Sequence, residues 1–341
     1  MRRLLCMTAA TLVMAAALAT KVSAQPNYNT PASVLVFPIV DSRLGQGMGT
    51  VISVTNTNRN RVINTNTNLP FGTVQVRYWY IKGTAPWTMT DIPELLTPND
   101  ILTVLAGNHN PETEIGWLAV IAEDPTTDVL INFNYLIGDE IVVDVAGSRT
   151  WQVNAMGFQA LATGTVQPNG APSADDDGDG EADVNGNEYV RPPNVQYYSS
   201  FFQQSATMEG DLIIVALRNS DWRYEVSFLI YDNEEDVFSR NFFFICWTRV
   251  ALRDISSVFR NLGGSPAEEQ VGWARIDSPT AIHTLTGRVI GNPGILCARS
   301  QRVLPFTGLE FGELLHHSGA NMVGAGTSVS GQDEIPDDED D

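Results

Sequence analysis

One ordered set of short segments occurs twice along this chain of 341 residues, and this repetition limits the folds that the chain can adopt. The first set opens with PASVLVFPIV at Pro31, and the second opens with PNVQYYSSFF at Pro193. Gly49 then leads GTVISVTNTN, and Gly210 leads GDLIIVALRN. Matching order and spacing over roughly a hundred residues indicate two copies of one unit. Because this period is too long for a solenoid, each copy should be a domain with its own core.

A later pair of segments continues the match with a shared Gly-Trp step. PETEIGWLAVI contains Gly116 and Trp117, and PAEEQVGWARI contains Gly272 and Trp273. The apolar context of both tryptophans favours core packing over ligand binding. We therefore expect Trp117 and Trp273 to be buried at matching positions.

The residue pattern inside each copy is typical of β-strands. In residues 74–81, Val74, Val76, Tyr78 and Tyr80 fall on one face of an extended chain, as a half-buried strand requires. Many short runs of this kind, separated by turn residues, favour a sandwich. The sequence thus predicts an all-β fold of two tandem homologous β-sandwich domains, which is an internal duplication, joined by a Gly/Asp-rich linker.

Changes in composition along the chain predict the domain boundaries. We expect a signal peptide at 1–24, domain 1 at 25–163, an acidic linker at 164–192, domain 2 at 193–316, and a disordered acidic tail at 317–341. Within the domains, residues 128–137 read as a strand, whereas 252–262 and 309–316 have the apolar spacing of short helices.

The N-terminus has the features of a secretory signal. Arg2 and Arg3 precede a short apolar run, and the small-residue site Val22-Ser23-Ala24 precedes Gln25. The apolar run is too short for a membrane span. We expect an exported mature chain that begins at Gln25, in the periplasm, on the cell surface or in the medium.

Two cysteines, Cys246 and Cys297, follow the signal, and both lie in the second copy. Because an exported protein meets oxidising conditions, the pair is interpreted as a disulfide. Two buried free thiols are the alternative.

The linker contains the sharpest motif in the sequence, with six carboxylates in the nine residues from Asp175 to Asp183. It resembles the D-x-D-x-D-G calcium-binding loops of EF-hands, dockerins and thrombospondin type 3 repeats. The resemblance implies Ca²⁺ as a cofactor and five candidate ligands: Asp175, Asp177, Asp179, Glu181 through its backbone carbonyl, and Asp183. The twelfth place is Gly186 where these loops have a bidentate Glu, so Asn185, Asn187 or Glu188 would complete the shell. A solvated acidic linker is the alternative.

The aromatic residues offer a second kind of binding site. Trp79 and Trp87 could stack against a sugar, because aromatic rings present flat apolar faces. Core packing is the competing interpretation of both residues. Catalytic motifs give no assignment: none of the four histidines lies in H-E-x-x-H, and no G-x-S-x-G occurs.

The formal net charge of −20 limits the partners of this chain. Such a surface repels nucleic acid and anionic membranes, and no later segment is apolar for long enough to span a bilayer. The sequence therefore indicates an exported, non-catalytic surface, matrix or binding protein, with a surface polysaccharide or another exported protein as partner. The alternative is a secreted carbohydrate-binding or carbohydrate-processing protein.

Overall fold

The structure is a computed structural model. The structure describes residues 30–84, 88–110, 114–145, 149–193, 195–203, 208–217, 222–260, 262, 271–291, 293–303 and 310–317. The signal peptide, Trp87 and the tail from residue 318 onward lie outside the described residues. No helix among the described residues is long and apolar enough to cross a membrane.

The first half of the chain forms eleven strands among the described residues. They are β1 (Val34–Asp41), β2 (Met48–Asn56), β3 (Ile63–Asn64), β4 (Leu69–Pro70), β5 (Val74–Lys82), β6 (Met89–Leu96), β7 (Ile101–Leu105), β8 (Ile115–Glu123), β9 (Leu136–Asp144), β10 (Arg149–Asn154) and β11 (Met156–Phe158). Sheet A1 has the order β11-β1-β8-β5-β6, and sheet B1 has the order β10-β9-β2-β7. A 3-10 turn covers Leu44–Gln46, and a one-turn helix, Ala106–His109, follows β7.

The second half forms ten strands among the described residues. They are β12 (Val195–Phe202), β13 (Met208–Ala216), β14 (Trp222–Asp232), β15 (Val237–Ile245), β16 (Trp247–Ala251), β17 (Val271–His283), β18 (Val289–Gly291), β19 (Ile295–Val303), β20 (Glu310–Leu314) and β21 (His316–His317). Sheet A2 has the order β15-β14-β17-β12-β21, with β18 beside β17, and sheet B2 has the order β16-β13-β19-β20. The short helices Leu252–Ile255 and Ser257–Arg260 follow β16.

The all-β prediction is confirmed, and the two halves have the same strand order. Reading A2 from β21 to β15 and B2 from β20 to β16 reproduces the orders of A1 and B1 strand by strand. β1 and β12 even share an irregularity, between Phe37 and Val40 and between Tyr198 and Phe201. A common origin of the halves by duplication is still a prediction.

The side chains that face inward refine the sequence alignment of the halves. Aligning Gly49 with Gly210 matches Ile52 with Ile213. However, Ile52 lies in the core of the first half, whereas the corresponding core residue on β13 is Leu212. Because side chains alternate between the faces of a strand, this one-residue difference reverses every side chain of β13.

Three local predictions differ from the structure. Residues 309–316, expected to be helical, contain the strand Glu310–Leu314. Residues 128–137 are mostly loop, and the strand begins at Leu136. Strand β6 was not predicted, because its Pro93 argues against a central strand. However, β6 is an edge strand of A1, where proline is tolerated.

A third buried core lies between the two halves and joins them. On β1 and β8, outward-facing Val36 and Ala119 belong to this core, whereas the neighbouring Phe37 and Leu118 belong to the core of the first sandwich. On β13 and β19 the outward-facing residues contribute in the same way: Ile213, Val215, Leu296 and Ala298. The outer face of A1 therefore packs against the outer face of B2, and the halves form one body.

The segment between the halves also packs against the first half. The backbone N–H of Ala174 donates to Leu130 O at 2.8 Å, and that of Val190 donates to Gln159 O at 3.0 Å. Asn169 N–H donates to the buried Asp124 carboxylate at 2.8 Å. Both Ala174 and Tyr189 are fully buried in the core between the halves. The acidic linker is thus anchored to the first half on both sides of its acidic stretch.

The predicted disulfide between Cys246 and Cys297 is absent, and both residues are buried free thiols. Cys297 faces inward from β19 into the core of the second sandwich. Cys246 lies in the core between the halves, with Trp117. Because one sheet separates these two cores, the thiols lie on opposite sides of it.

Candidate metal centre

The acidic stretch of the linker folds into an arc that its own carboxylates hold together. Asp175 accepts hydrogen bonds from the backbone N–H groups of Gly178 at 2.6 Å and Gly180 at 3.1 Å. Asp179 accepts one from Glu181 N–H at 2.7 Å. Gly178 and Gly180 have φ angles of 87° and 79°, which side chains disfavour. The glycines of the motif therefore permit the arc to curve around Asp175.

Glu188 closes this arc from its C-terminal side. Its Oε1 accepts the backbone N–H of Asp176 at 2.6 Å, and its Oε2 accepts that of Asp183 at 3.0 Å. The side chain is buried, and the next residue, Tyr189, lies in the core between the halves. One carboxylate thus ties both ends of the acidic stretch to the packed body.

Three carboxylates meet in this loop. One oxygen each from Asp175, Asp177 and Glu188 lies within 4.8 Å of the other two. Ca²⁺ bonds to oxygen at 2.3–2.6 Å, so two ligands on opposite sides of the ion lie about 5 Å apart. The spacing of the three oxygens is therefore compatible with one shared calcium ion.

The structure groups some of the predicted ligands and separates others. Asp175 and Asp177 belong to the three-carboxylate group, as the motif predicts. Asp179, Glu181 and Asp183 lie on the same arc but outside that group. Asp183 instead accepts a hydrogen bond from Asn185 Nδ2 at 3.1 Å.

Glu188, the third carboxylate of the group, lies outside the twelve-residue motif. It occupies the fourteenth place, counted from Asp175. Asn185 Oδ1 accepts the N–H groups of Asn187 at 2.7 Å and of Glu188 at 3.2 Å. Gly186, with a φ of 90°, lies at the centre of this turn. The Asn-Gly-Asn turn signal could have suggested that the chain reverses here and returns the next carboxylate to the arc.

The electrostatics of the group favour a cation. Burial raises the pKa of Glu188, although the N–H groups of Asp176 and Asp183 oppose the rise, and nearby Asp183 and Asp177 add to it. Desolvation and the charges of Asp179, Asp183 and Asp177 also raise the pKa of Glu181. A divalent ion would relieve this repulsion, so binding would strengthen as the pH rises.

The aromatic residues predicted to stack against a sugar are not an exposed row. Trp79 is half-buried and packs against the core between the halves, and Trp87 lies outside the described residues. Trp117 is buried with 7% exposure, as expected. The prediction was wrong for Trp273, which is 38% exposed. Its ring stacks on Tyr231 at 3.9 Å, on the outer face of A2.

Comparison with known proteins adds no family. No protein-family model matches the chain, and a search of curated proteins finds no significant relative. Among solved structures, the cryo-EM structure of Broad Bean Stain Virus aligns with 84% of this chain and 92% of the viral chain, at 9% identity. Its TM-score of 0.17 is too low to support an argument about fold or function.

Proposed function

We propose that this chain is an exported, non-catalytic surface, matrix or binding protein that binds Ca²⁺ in the segment between its two halves. The observation that carries the proposal is the convergence of Asp175, Asp177 and Glu188 oxygens within 4.8 Å. Export rests on the N-terminal signal pattern.

The donor set favours a hard cation. All three groups are carboxylates, which suit Ca²⁺ and Mg²⁺, whereas thiol or imidazole donors would favour zinc or copper. Mg²⁺ demands a compact octahedral shell, and a loop with glycines at its bends suits the larger ion better. The affinity should be modest, roughly 10⁻⁴ to 10⁻³ M, as in extracellular modules.

Calcium would act as a brace in this proposal. The ion would connect the exposed Asp177 to the buried Glu188, and Glu188 precedes a core residue that packs between the halves. At a free calcium concentration ten times Kd, binding stabilises the folded chain by about 1.4 kcal/mol. Such a brace suits a rigid protein of the cell exterior, where calcium is abundant.

Calorimetric titration with Ca²⁺ and Mg²⁺ tests the metal site. We expect calcium binding at roughly 10⁻⁴ to 10⁻³ M and a higher unfolding temperature with calcium than with a chelator. Asp177→Asn should abolish both effects. Asp176→Asn is the matched control, because Asp176 is exposed and lies outside the three-carboxylate group. Equal binding by the two variants, or no binding heat at all, would leave only a solvated acidic loop.

Export has a separate test. N-terminal sequencing of the native protein from the external fraction should begin at Gln25. An intact Met1 in the cytoplasmic fraction would refute export without touching the metal site.

A further inference from the structure

The packing between the halves uses one outer sheet face from each, together with edge strand β10 of B1, whose Trp151 and Val153 belong to the same core. A1 contributes its outer face and B2 contributes its outer face. The corresponding faces of the other two sheets, A2 and B1, do not belong to this core. The outer face of A2, which corresponds to that of A1, is therefore unused in the second half. The outer face of B1, which corresponds to that of B2, is unused in the first half.

Trp117 and Trp273 occupy the same place on A1 and A2. Trp117 pairs with Ile81 across β8 and β5, and Trp273 pairs with Tyr231 across β17 and β14. The preceding glycine lies against the carbonyl of the residue that pairs with the tryptophan in each case. In A1 this place is buried by the other half, and in A2 it is exposed.

Trp247 and Ile101 occupy the same place on B2 and B1. Each is the first residue of a five-residue strand that runs directly into a one-turn helix. Trp247 pairs with Val215 on the central strand of B2, and Ile101 pairs with Thr55 on B1. Trp247 is buried between the halves, whereas Ile101 is 60% exposed.

Both open faces present apolar side chains at these places. On A2, the exposed Val237 lies beside the stacked Tyr231–Trp273 pair. On B1, the exposed Ile137 lies across β2 from Ile101, because both pair with Thr55. Neighbouring exposed apolar side chains on a sheet face make both faces candidates for a contact surface.

We propose that the outer face of B1 in a second copy of this chain docks on the outer face of A2, repeating between molecules the face-to-face part of the contact that joins the halves within one. Such a contact is heterologous, because the two surfaces differ. It leaves one free face at each end, so further copies can add and form an open chain. The proposal is independent of calcium binding.

The open faces are more polar than their buried counterparts, which makes this contact weaker. Arg275 and Asp277 of A2 stand where A1 has Ala119 and Ile121, by the register of β17 and β8. The two charged groups pair with each other at 2.9 Å, so they partly neutralise one another. We expect reversible association at high protein concentration, in the range of small transient interfaces.

Net charge gives the contact a distinctive salt dependence. The chain carries a formal charge of −20, so copies repel one another at low ionic strength. Salt screens this repulsion but does not weaken apolar contact. Association should therefore increase with salt, whereas a contact made by opposite charges would decrease.

Sedimentation velocity of the full chain, from about 1 µM to about 1 mM protein, tests the proposal. We expect dimers and longer species that grow with concentration, with more of them at about 0.5 M than at about 0.05 M salt. Trp273→Asp on A2 and Ile101→Asp on B1 should each reduce the association constant at least tenfold. Val237→Asp is a second A2 variant at an edge strand, in case loss of the indole impairs folding. Leu285→Asp, in the exposed turn after β17, is the matched control and should associate normally.

Mixing the two variants identifies which faces meet. The Trp273→Asp protein retains its B1 face, and the Ile101→Asp protein retains its A2 face. Their mixture should form heterodimers and stop there. A contact between two A2 faces predicts instead that Ile101→Asp associates like the unmodified chain. That result, or a protein that stays monomeric at all concentrations, would overturn the proposal.

Discussion

The indole Nε1 of Trp247 donates a buried hydrogen bond of 2.8 Å to the carbonyl oxygen of Pro38. This bond joins residues 209 positions apart and crosses the contact between the halves. Gly83 permits the close approach, because a Cβ atom there would lie 2.5 Å from the Trp247 ring. The shared core between the halves is therefore specified by shape as well as by hydrophobicity.

We expect Trp247→Ala to separate the unfolding of the two halves. Loss of the ring leaves a cavity in the shared core and should reduce the free energy of unfolding by about 3–5 kcal/mol. Calorimetry should show one cooperative transition for the unmodified chain and two for the variant. Trp273→Ala, which removes an exposed ring, is the control and should preserve the single transition. An unchanged transition in Trp247→Ala would show that the halves are not coupled through this residue.

Glu140→Gln should stabilise the protein at neutral pH. Glu140 is fully buried in the first half, its Oε1 accepts Ile39 N–H at 3.3 Å, and its Oε2 has no partner among the described residues. Burial raises the pKa of Glu140 well above its ordinary value of 4.5. Above pH 4.5 the unfolded chain loses this proton and the folded chain keeps it, so stability falls as the pH rises. Glutamine stays neutral and removes this loss.

Chemical denaturation across pH measures the effect of Glu140→Gln. The free energy of unfolding of the variant should exceed that of the unmodified chain by at least about 1 kcal/mol at pH 7. The two values should converge below pH 4.5, where both states carry the proton. Glu234→Gln at an exposed site is the control. A difference that does not depend on pH would refute the assignment.

The cysteines should behave as two protected thiols. Burial raises the pKa of Cys297, and burial also raises that of Cys246, so neither forms the reactive thiolate readily. A thiol reagent should label neither residue in the folded protein and both after denaturation. A reducing agent should leave the unfolding temperature unchanged, whereas a decrease would restore the disulfide interpretation.

Gly116→Ala and Gly272→Ala should both be strongly destabilising. A Cβ atom at Gly116 would lie 1.9 Å from Ile81 O, and one at Gly272 would lie 2.5 Å from Tyr231 O. Backbone carbonyls cannot move without disturbing the strand pairing, so we expect a loss above about 2 kcal/mol in each variant. Gly291→Ala on β18 is the control, because nothing lies within 4 Å of its Cβ position. Denaturant titration of the three variants makes the comparison.

The arrangement of strands was largely readable from the sequence, and the failures have identifiable causes. Alternation in residues 74–81 predicted β5 because one of its faces is fully buried and the other only partly. Pro93 argues against a strand by sequence, but proline is tolerated on an edge strand such as β6. The FGEL segment resembles a helix in its apolar spacing, but β19 and the first half cover it, and packing determines its conformation.

The sequence motif predicted two of the three carboxylates of the candidate metal site. Asp175 and Asp177 lie within one short motif whose spacing is typical of calcium-binding loops. Glu188 joins them only because the turn at Gly186 reverses the chain and the burial of Tyr189 holds it there. A motif of fixed spacing cannot include such a ligand, because the number of residues between the motif and the ligand depends on the turn that separates them.

The sequence by itself determined the all-β class, the repeated order of segments and the acidic calcium-like motif, because these depend on residue periodicity and local turn chemistry. The tertiary structure alone decided which faces meet. Trp117 and Trp273 share a Gly-Trp step and the same register, yet one is buried and the other is exposed. The same is true of the two cysteines, which a sheet separates. Burial depends on what the rest of the chain places against a residue, and the shared Gly-Trp step does not contain that information.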